Sequence, residues 1–379
     1  MIKNYVKLGD LATYINGYAF KPKDRGDTGL PIIRIQDLTG NSYDKGFYNG
    51  DDYPSKIEID NGDVLISWSA SLGVYLWNGG KALLNQHIFK VEFDKKEIDK
   101  DYFIYAVRFS LKKLRQLTHG ATMKHIVKKD FENVSIPYPS LKRQKEIAKI
   151  LKDSEDVIEN RQKEISKLDT LIKARFVEMF GDPGSNNKEI NVKKLGEVCV
   201  LNPKKNTESN LFDNLRVSFV PMSSVSEKGD MNLEQTKLYS EVKKGFTYFS
   251  DDDVLFAKIT PCMENGKGAI ALNLKNRIGF GSTEFHVLRP IRNISNPYWL
   301  YVLTTFTAFR KLAESNMTGS AGQRRVPVKF LENYKVAVPP IELQNEFASF
   351  VQQVDKSKVV NNLIMKYIIN IGFIYSFFR

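Results

Sequence analysis

The chain repeats itself, and nothing else in the sequence limits its fold as much. Short runs near the N-terminus return in the same order at a separation that drifts up to about 200 positions. Lys7-Leu8-Gly9-Asp10 is answered by Lys194-Leu195-Gly196-Glu197, and Asp63-Val64-Leu65-Ile66 by Asp253-Val254-Leu255-Phe256. Gln86-His87-Ile88-Phe89-Lys90-Val91 is echoed in Glu284-Phe285-His286-Val287-Leu288, and Tyr102-Phe103-Ile104-Tyr105 in Tyr298-Trp299-Leu300-Tyr301. Glu132-Asn133-Val134-Ser135-Ile136-Pro137 returns as Glu332-Asn333-Tyr334-Lys335-Val336-Ala337, and Gln144-Lys145-Glu146 as Gln344-Asn345-Glu346. A repeat this long is a duplicated domain plus a duplicated helix, not a short solenoid unit.

Both copies have the same coarse anatomy. Each opens with short β-type runs separated by Gly, Asn and Asp, such as Leu30-Pro31-Ile32-Ile33 and Asp63-Val64-Leu65-Ile66. A helix is expected over about Asp101–Leu117 in the first copy and Pro297–Glu314 in the second, where Pro297 suits a first helical turn. A glycine-containing loop, a short strand and a proline pair then lead into a long helix. From Ser140 onward there is neither Pro nor Gly until Gly181, and Leu151, Ile158, Ile165, Ile172 and Met179 recur every seventh residue. Ile147, Ser154, Arg161, Leu168 and Arg175 hold the companion positions. At 1.5 Å per residue this rod is roughly 60 Å long, and it cannot bury its stripe alone. The natural partner is its own repeat from Ile341 onward, with Phe347, Val351, Val354, Met365 and Ile368 on the matching face and an antiparallel pairing expected.

Composition narrows the class. The 379 residues are 42% hydrophobic and 26% charged, the profile of an ordinary globular protein rather than a disordered one. The 56 Lys+Arg against 44 Asp+Glu leave a net charge of +12, which favours a polyanionic partner, nucleic acid first. Two cysteines, Cys199 and Cys262, without a Cys-x-x-Cys pair, fit a reducing compartment; the expected location is the cytoplasm. The first residues have no apolar signal core. The apolar stretch Tyr367–Phe378 is shorter than a spanning helix and is interrupted by Asn370 and Gly372, so no membrane partner is expected.

The tandem Leu-Gly-Asp/Glu, Asp-Val-Leu and Asn133-Val134-Ser135-Ile136-Pro137-Tyr138-Pro139 signatures, the last feeding Gln144 and a heptad helix, resemble specificity subunits of type I restriction–modification enzymes. The second copy, Val336-Ala337-Val338-Pro339-Pro340-Ile341-Glu342-Leu343-Gln344, is nearer still to that pattern. The resemblance spans nearly the whole chain. It implies two target-recognition domains, each reading one half of a bipartite site on double-stranded DNA, and a central helical region that spaces them. It also implies two methyltransferase subunits and restriction/translocase subunits as partners. One departure stands out: after about Val360 the second helix becomes apolar and aromatic and meets Gly372, so it is expected to be shortened or altered.

DNA reading needs basic groups for phosphates, and amides, Arg or hydroxyls for base edges. The candidates in the first domain are Lys23 and Arg25, then Trp68, Ser69 and Ser71 beyond a strand, then Gln86, and then His119, Thr122 and Lys124 in a small-residue loop. Those in the second are Lys258 and Thr260, Thr283, and the loop residues Ser320, Gln323, Arg324 and Arg325. Plainer readings stand beside them. Trp68 and Trp77 suit a core, His87 and His286 suit satisfied structural histidines, and Lys204-Lys205 suits a solvated loop.

Enzyme chemistry is not written in the sequence. There is no Gly-x-Gly-x-x-Gly and no P-loop, and Asn296-Pro297-Tyr298-Trp299 reads as a helix start rather than a methyltransferase motif. Asp251-Asp252-Asp253 reads as turn capping rather than a magnesium site. No catalytic, cofactor-binding or metal-ligating residue is assigned. The expected fold is α+β: two similar target-recognition domains, at 1–139 and 182–340, with helices at 140–181 and 341–379 forming an antiparallel coiled coil in pseudo-twofold symmetry. The expected function is non-catalytic sequence recognition that directs adenine methylation or cleavage by partner subunits. A stand-alone DNA-modifying enzyme and a coiled-coil scaffold without a DNA role are the alternatives.

Overall fold

The computed structural model describes residues 4–40, 46–50, 52–69, 71–117, 127–183, 190–205, 212–320 and 322–377, with the backbone alone for 112–117 and 371–377. The chain divides into two compact units, residues 1–161 with 363–379, and residues 162–362.

The first unit contains strands β1 (Tyr5–Lys7), β2 (Thr13–Asn16), β3 (Leu30–Ile33), β4 (Phe47–Tyr48), β5 (Glu58–Ile59), β6 (Val64–Ser67), β7 (Gly73–Leu76), β8 (Ala82–Leu84), β9 (Ile88–Glu92) and β10 (Ser135–Pro137). Its helices are α1 (Ile35–Leu38), α2 (Lys100–Leu117) and α3 (Lys128–Glu132), followed by α4 (Leu141–Phe180), which continues into the second unit. The strands form two four-stranded sheets, β2-β9-β6-β7 and β4-β3-β8-β5, with β3 and β8 parallel. All four residues of β6 are buried because both of its faces are covered. Val64 and Ile66 join the core under α2, with Tyr102, Phe103, Ala106 and Val107, while Leu65 faces the second sheet with Ile32, Leu84 and Ile88.

The second unit repeats this plan. Its strands are β11 (Val192–Lys194), β12 (Cys199–Leu201), β13 (Arg216–Val220), β14 (Thr236–Leu238), β15 (Thr247–Ser250), β16 (Val254–Ala257), β17 (Gly268–Ile270), β18 (Ile278–Gly281), β19 (Phe285–Pro290) and β20 (Lys335–Ala337). Its helices are α5 (Leu195–Val198), α6 (Tyr239–Val242), α7 (Pro297–Thr304), α8 (Thr307–Ser315), α9 (Val328–Asn333) and α10 (Ile341–Phe377), which runs on into the first unit. The sheet orders β12-β19-β16-β17 and β14-β13-β18-β15 match those of the first unit strand for strand, and β13·β18 is again the parallel pair.

In each copy a two-stranded antiparallel ladder joins the start of the domain to its end: Tyr5 faces Pro137 in β1·β10, and Val192 faces Ala337 in β11·β20. The repeated glycine belongs to this closure. A Cβ on Gly9 would stand 3.0 Å from Glu132 Cβ, and one on Gly196 would stand 3.2 Å from the Glu332 carbonyl oxygen, so a larger residue would push the loop off the helix beneath it. The repeated glutamine is a clasp at the start of each long helix. Gln144, fully buried, accepts from Asp99 N (2.9 Å) and donates to the Pro139 carbonyl (2.9 Å). Gln344 does the same with Asn296 N (2.9 Å) and Pro339 (2.8 Å).

The heptad reading of α4 is visible in its burial. Between 151 and 168 the non-exposed positions are 151, 154, 158, 161, 165 and 168, the two interleaved seven-residue series. In the second unit the C-terminal half of α4 lies antiparallel to the start of α10. Phe176 and Phe180 pack edge-on against Phe347 (5.5 and 5.4 Å between ring centres), Arg175 pairs with Glu346 at 3.1 Å, and Asp169 with Lys358 at 2.7 Å. Ile172, Phe176 and Phe180 share one core with Phe347, Val351, Val354 and the buried residues of the second domain, Trp299 and Leu331 among them.

One expectation is corrected. The helix expected over Pro297–Glu314 is broken into α7 and α8, with Phe306 in an extended conformation between them. Thr304 and Thr305 turn their hydroxyls onto the carbonyls of Tyr301 and Val302 (2.7 Å each), competing with the helical ladder where it stops. The backbone of α10 runs 37 residues, against 40 for α4, and carries Gly372 within it. Among the described residues no helix is long and apolar enough to cross a membrane.

Candidate nucleic-acid interface

The loops at one end of each domain are held together by backbone bonds that continue the sheets. In the first domain the β6·β9 ladder ends at Ser67 facing Ile88, and Trp68 N then donates to the His87 carbonyl at 3.2 Å. The Trp68 ring meets His87 edge-on (4.8 Å) and stacks on Phe89 (5.8 Å). His87 sits at φ 73° in the turn between β8 and β9, where Asn85 Oδ1 accepts from Gln86 N at 2.9 Å. Gln86 N also reaches the Tyr18 carbonyl (2.9 Å), and Tyr18 N reaches Leu84 O (2.8 Å), which draws the segment after β2 alongside the turn. That segment carries Lys23 and Arg25, both exposed, around a short 3-10 turn whose start is fixed by Asp24 accepting from Lys21 N (2.7 Å).

Trp68 and Gln86 are therefore brought together, half-buried and exposed respectively. Ser71 is exposed, and its carbonyl accepts from the Ser67 hydroxyl. Ser69 is buried and turned from solvent. His119, Thr122 and Lys124 lie outside the described residues.

The second domain builds the same end with different chemistry. The β16·β19 ladder ends at Ala257 facing Phe285, and Lys258 N donates to the Glu284 carbonyl at 2.9 Å, the counterpart of the Trp68–His87 bond. Register thus pairs Lys258 with Trp68 and Glu284 with His87, and it makes His286 the counterpart of Phe89. A third segment, Thr318–Arg325, closes on itself through Thr318 N to Arg325 O (3.0 Å) and Arg325 N to Thr318 O (2.8 Å), turning on Gly319 and Gly322 at φ 118° and 79°. It is laid against the loop after β16 by Thr260 N to Arg324 O (3.0 Å) and Val326 N to Lys258 O (2.9 Å). Lys258, Thr260, Arg324 and Arg325 therefore converge, with Thr283 exposed on the adjoining turn and Ser320 and Gln323 exposed on the third segment.

The electrostatics of this end are specific. Arg325 forks onto Glu284, Nε to Oε2 at 2.9 Å and Nη2 to Oε1 at 2.8 Å, and that bond holds the Glu284 carboxyl below its ordinary range. Thr260 donates its hydroxyl to Glu264 Oε1 at 2.7 Å. Beneath the surface His286 is buried and held below its ordinary pKa by that burial, with Nε2 at 2.8 Å from the Val326 carbonyl and Nδ1 at 3.1 Å from Asn202 Nδ2. The plain structural reading of His286 fits this environment. The aspartates after β15 work as turn caps: Asp253 accepts from Ser250 N (2.7 Å) and pairs with Arg289 (2.6 Å), and Asp251 accepts from Leu274 N (2.9 Å).

Sequence reasoning passed over two residues. Arg310 is buried and donates to the carbonyls of Thr304, Met263 and Gly266 (2.7, 2.7 and 3.2 Å), fastening the loop after β16 to the break between α7 and α8. Glu264 stands inside that loop. The one signal for Arg310 was a charge on the apolar face of a helix, between Phe309 and Ala313.

Comparison with known proteins agrees with this architecture. The family model for the type I restriction modification DNA specificity domain matches residues 3–170 and again 187–366. The chain is 44% identical over 151 residues to the type I restriction enzyme EcoAI specificity subunit of Escherichia coli, covering 40% of this chain and 25% of that one. It is 30% identical over 197 residues to the MjaVIII specificity subunit of Methanocaldococcus jannaschii, covering 51% and 45%. These matches span a quarter to under half of the relatives' lengths. Among solved structures, the type I restriction-modification S subunit from M. genitalium aligns over 97% of this chain and 93% of its own, with a TM-score of 0.52 at 15% identity. A chain from a structure describing complex assembly and conformational transition of the type I R-M system aligns over 97% and 95%, with a TM-score of 0.56 at 17% identity. At those identities the likeness is one of fold. With the family model matched at residues 3–170 and 187–366, most of the chain, the chain belongs to the type I restriction modification DNA specificity domain family.

Proposed function

We propose that this chain is the non-catalytic sequence-recognition subunit of a type I restriction–modification complex. It reads an asymmetric bipartite site on double-stranded DNA, one half per domain, and directs adenine methylation or cleavage carried out by partner subunits. Residues 1–139 and 182–340 are the two readers, and the helices at 140–181 and 341–379 space them and receive two methyltransferase subunits. Restriction/translocase subunits complete the complex, which works in the cytoplasm.

The observation that carries this reading is the pair of equivalent loop ends. The same backbone bond holds Trp68 to His87 in one domain and Lys258 to Glu284 in the other, and the side chains it presents differ in kind. A shared scaffold with an aromatic pair on one copy and a charged cluster on the other suits two dissimilar half-sites. The net charge of +12 supports a phosphate-tracking component beside the base contacts.

The test is binding of the chain, assembled with its methyltransferase partner, to duplex DNA over a salt series. Affinity should fall steeply, with each neutralised phosphate adding about −0.9 to the slope of log K against log salt. Sequencing of methylated sites in the host should return two dissimilar specific blocks separated by an unread gap. Salt-insensitive binding, or a symmetric methylated site, would overturn the proposal.

A further inference from the structure

The two adjacent arginines of the third segment do different work. We propose that Arg324 is the guanine-reading arginine of the second domain, and that Arg325 is a positioning residue that locks the segment presenting it. This rests on the DNA-reading function proposed above and names a specificity-determining residue within it.

The assignment follows from what each guanidinium already holds. Arg325 has its Nε/Nη2 edge engaged by both oxygens of Glu284, and its Nη1 donates to the Gln323 carbonyl at 2.9 Å. With that edge taken, guanine could be met only through the remaining Nη1/Nη2 edge, where Nη1 already serves the Gln323 carbonyl, so Arg325 has no unencumbered pair of parallel N–H groups for O6 and N7. Arg324 is arranged in the opposite way. The two side chains are about equally exposed, 39% for Arg324 and 41% for Arg325, but among the described residues the Arg324 guanidinium donates no hydrogen bond. It stands 3.8 Å from Glu264 Oε1 and 3.9 Å from Glu314 Oε1. Those carboxylates attract the cation without taking its donors, so they restrain its direction and leave the fork open.

The same carboxylates choose between a base and a phosphate. A phosphate brought to Arg324 would carry its negative charge toward Glu264 and Glu314 and be repelled. The neutral edge of a guanine meets no such penalty and supplies two acceptors for the fork. Glu264 is itself fixed by the Thr260 hydroxyl at 2.7 Å, and the backbone of Arg324 is pinned by Thr260 N to its carbonyl at 3.0 Å. Restraint of both backbone and charge is what a base-reading side chain needs to discriminate.

The experiment is selection of bound duplexes from a randomised library, read by sequencing, with the chain assembled with its methyltransferase partner. Wild type should select two half-sites, one containing a fixed G·C pair in the half read by the second domain. Arg324→Ala should leave the first half-site unchanged and lose discrimination at that one pair by roughly 10-fold or more. Arg324→Lys keeps the charge but not the fork, so it should lose the same discrimination. It also serves as the folded control should the alanine variant lose its thermal transition. Arg325→Glu should lose discrimination at the same base pair, and adding Glu284→Arg should restore it, because the role of Arg325 passes through its pair.

A wild type that selects no sequence would overturn the function proposed above. A wild type that selects normally while both Arg324 variants keep its preference would overturn this inference alone. So would a uniform loss of affinity in both Arg324 variants with the salt slope reduced by about 0.9, which marks a phosphate contact. Failure of the charge swap to restore that discrimination would overturn the positioning role of Arg325.

Discussion

Arg310 shows how a buried charge can hold together a loop of the candidate interface. Its guanidinium is buried over the Phe256 ring (4.8 Å), and among the described residues it is held by carbonyls alone rather than by a carboxylate. Burial without a counter-ion pushes its pKa down to about 10, still far enough above neutrality for the charge to be kept. Replacing it with methionine keeps most of the volume but strands three carbonyls, a loss on the order of 3 kcal/mol. Arg310→Met should therefore lower the denaturant midpoint and weaken selection of the second half-site while sparing the first; an unchanged midpoint would count against the clasp. His286 gives a pH signature. Burial lowers its folded pKa below that of the unfolded chain, so acid protonates the unfolded chain first. Its contribution is intact above about 6.5 and is lost as pH falls from there through the depressed folded value. Thermal stability should fall more between pH 7 and 5 in wild type than in His286→Gln, and parallel curves would remove His286 as the titrating group. At this scale the sequence shows residue types but not their division of labour. Gln323, Arg324 and Arg325 read as a base-contacting trio, yet Arg325 is engaged by Glu284, 41 positions away, a pairing that only the fold creates.

The elements were legible where a period runs long. The seven-residue seam of α4 is a repeated, local signal, and the half-buried positions follow it because a single stripe must face a partner. The antiparallel pairing with α10 follows from the duplication, but past Ile172 the seam leaves the seven-residue series: Phe176 and Phe180, rather than Arg175 and Met179, are the buried residues that meet Phe347. The break between α7 and α8 was not legible. It depends on two threonine hydroxyls and on Arg310 taking the Thr304 carbonyl, neither of which leaves a mark in the hydrophobic pattern. The glutamine clasps fall between these cases: Gln144 and Gln344 stand out as repeated letters, but their bonds to Asp99 N and Asn296 N join segments over 40 positions apart. Phe347 tests the seam. It is fully buried between two phenylalanines of α4, so Phe347→Ala should cost about 3–5 kcal/mol, whereas Ile150→Ala at a 40% exposed site on the same helix pair should stay within about 0.5 kcal/mol. Equal midpoints for the two variants in chemical denaturation would show that the seam does not hold the second unit together.

At the scale of the whole molecule, duplication should make each proposed reader exchangeable. The first domain begins and ends in one ladder, Tyr5–Lys7 against Ser135–Pro137, so its chain is closed before α4 starts. Among the described residues its ties to α4 include the following. Gln144 accepts from Asp99 N, Tyr105 donates to Glu155 at 2.8 Å, Arg108 lies 3.6 Å from Glu155, and Ile147 and Ala148 enter the core beside Tyr102 and Phe103. Replacing residues 1–139 with the same region of a relative should therefore fold, provided the graft supplies a tyrosine opposite Glu155 and an aromatic or aliphatic surface for Ile147. The Lys258, Arg324 and Glu284 cluster is untouched by such a graft, because each of its bonds lies within residues 258–326. The hybrid, assembled with the same methyltransferase partner, should then methylate sites in which one half follows the donor and the other is unchanged. A hybrid that folds, assembles and methylates, yet alters both halves of its site, would show that the two domains do not read independently.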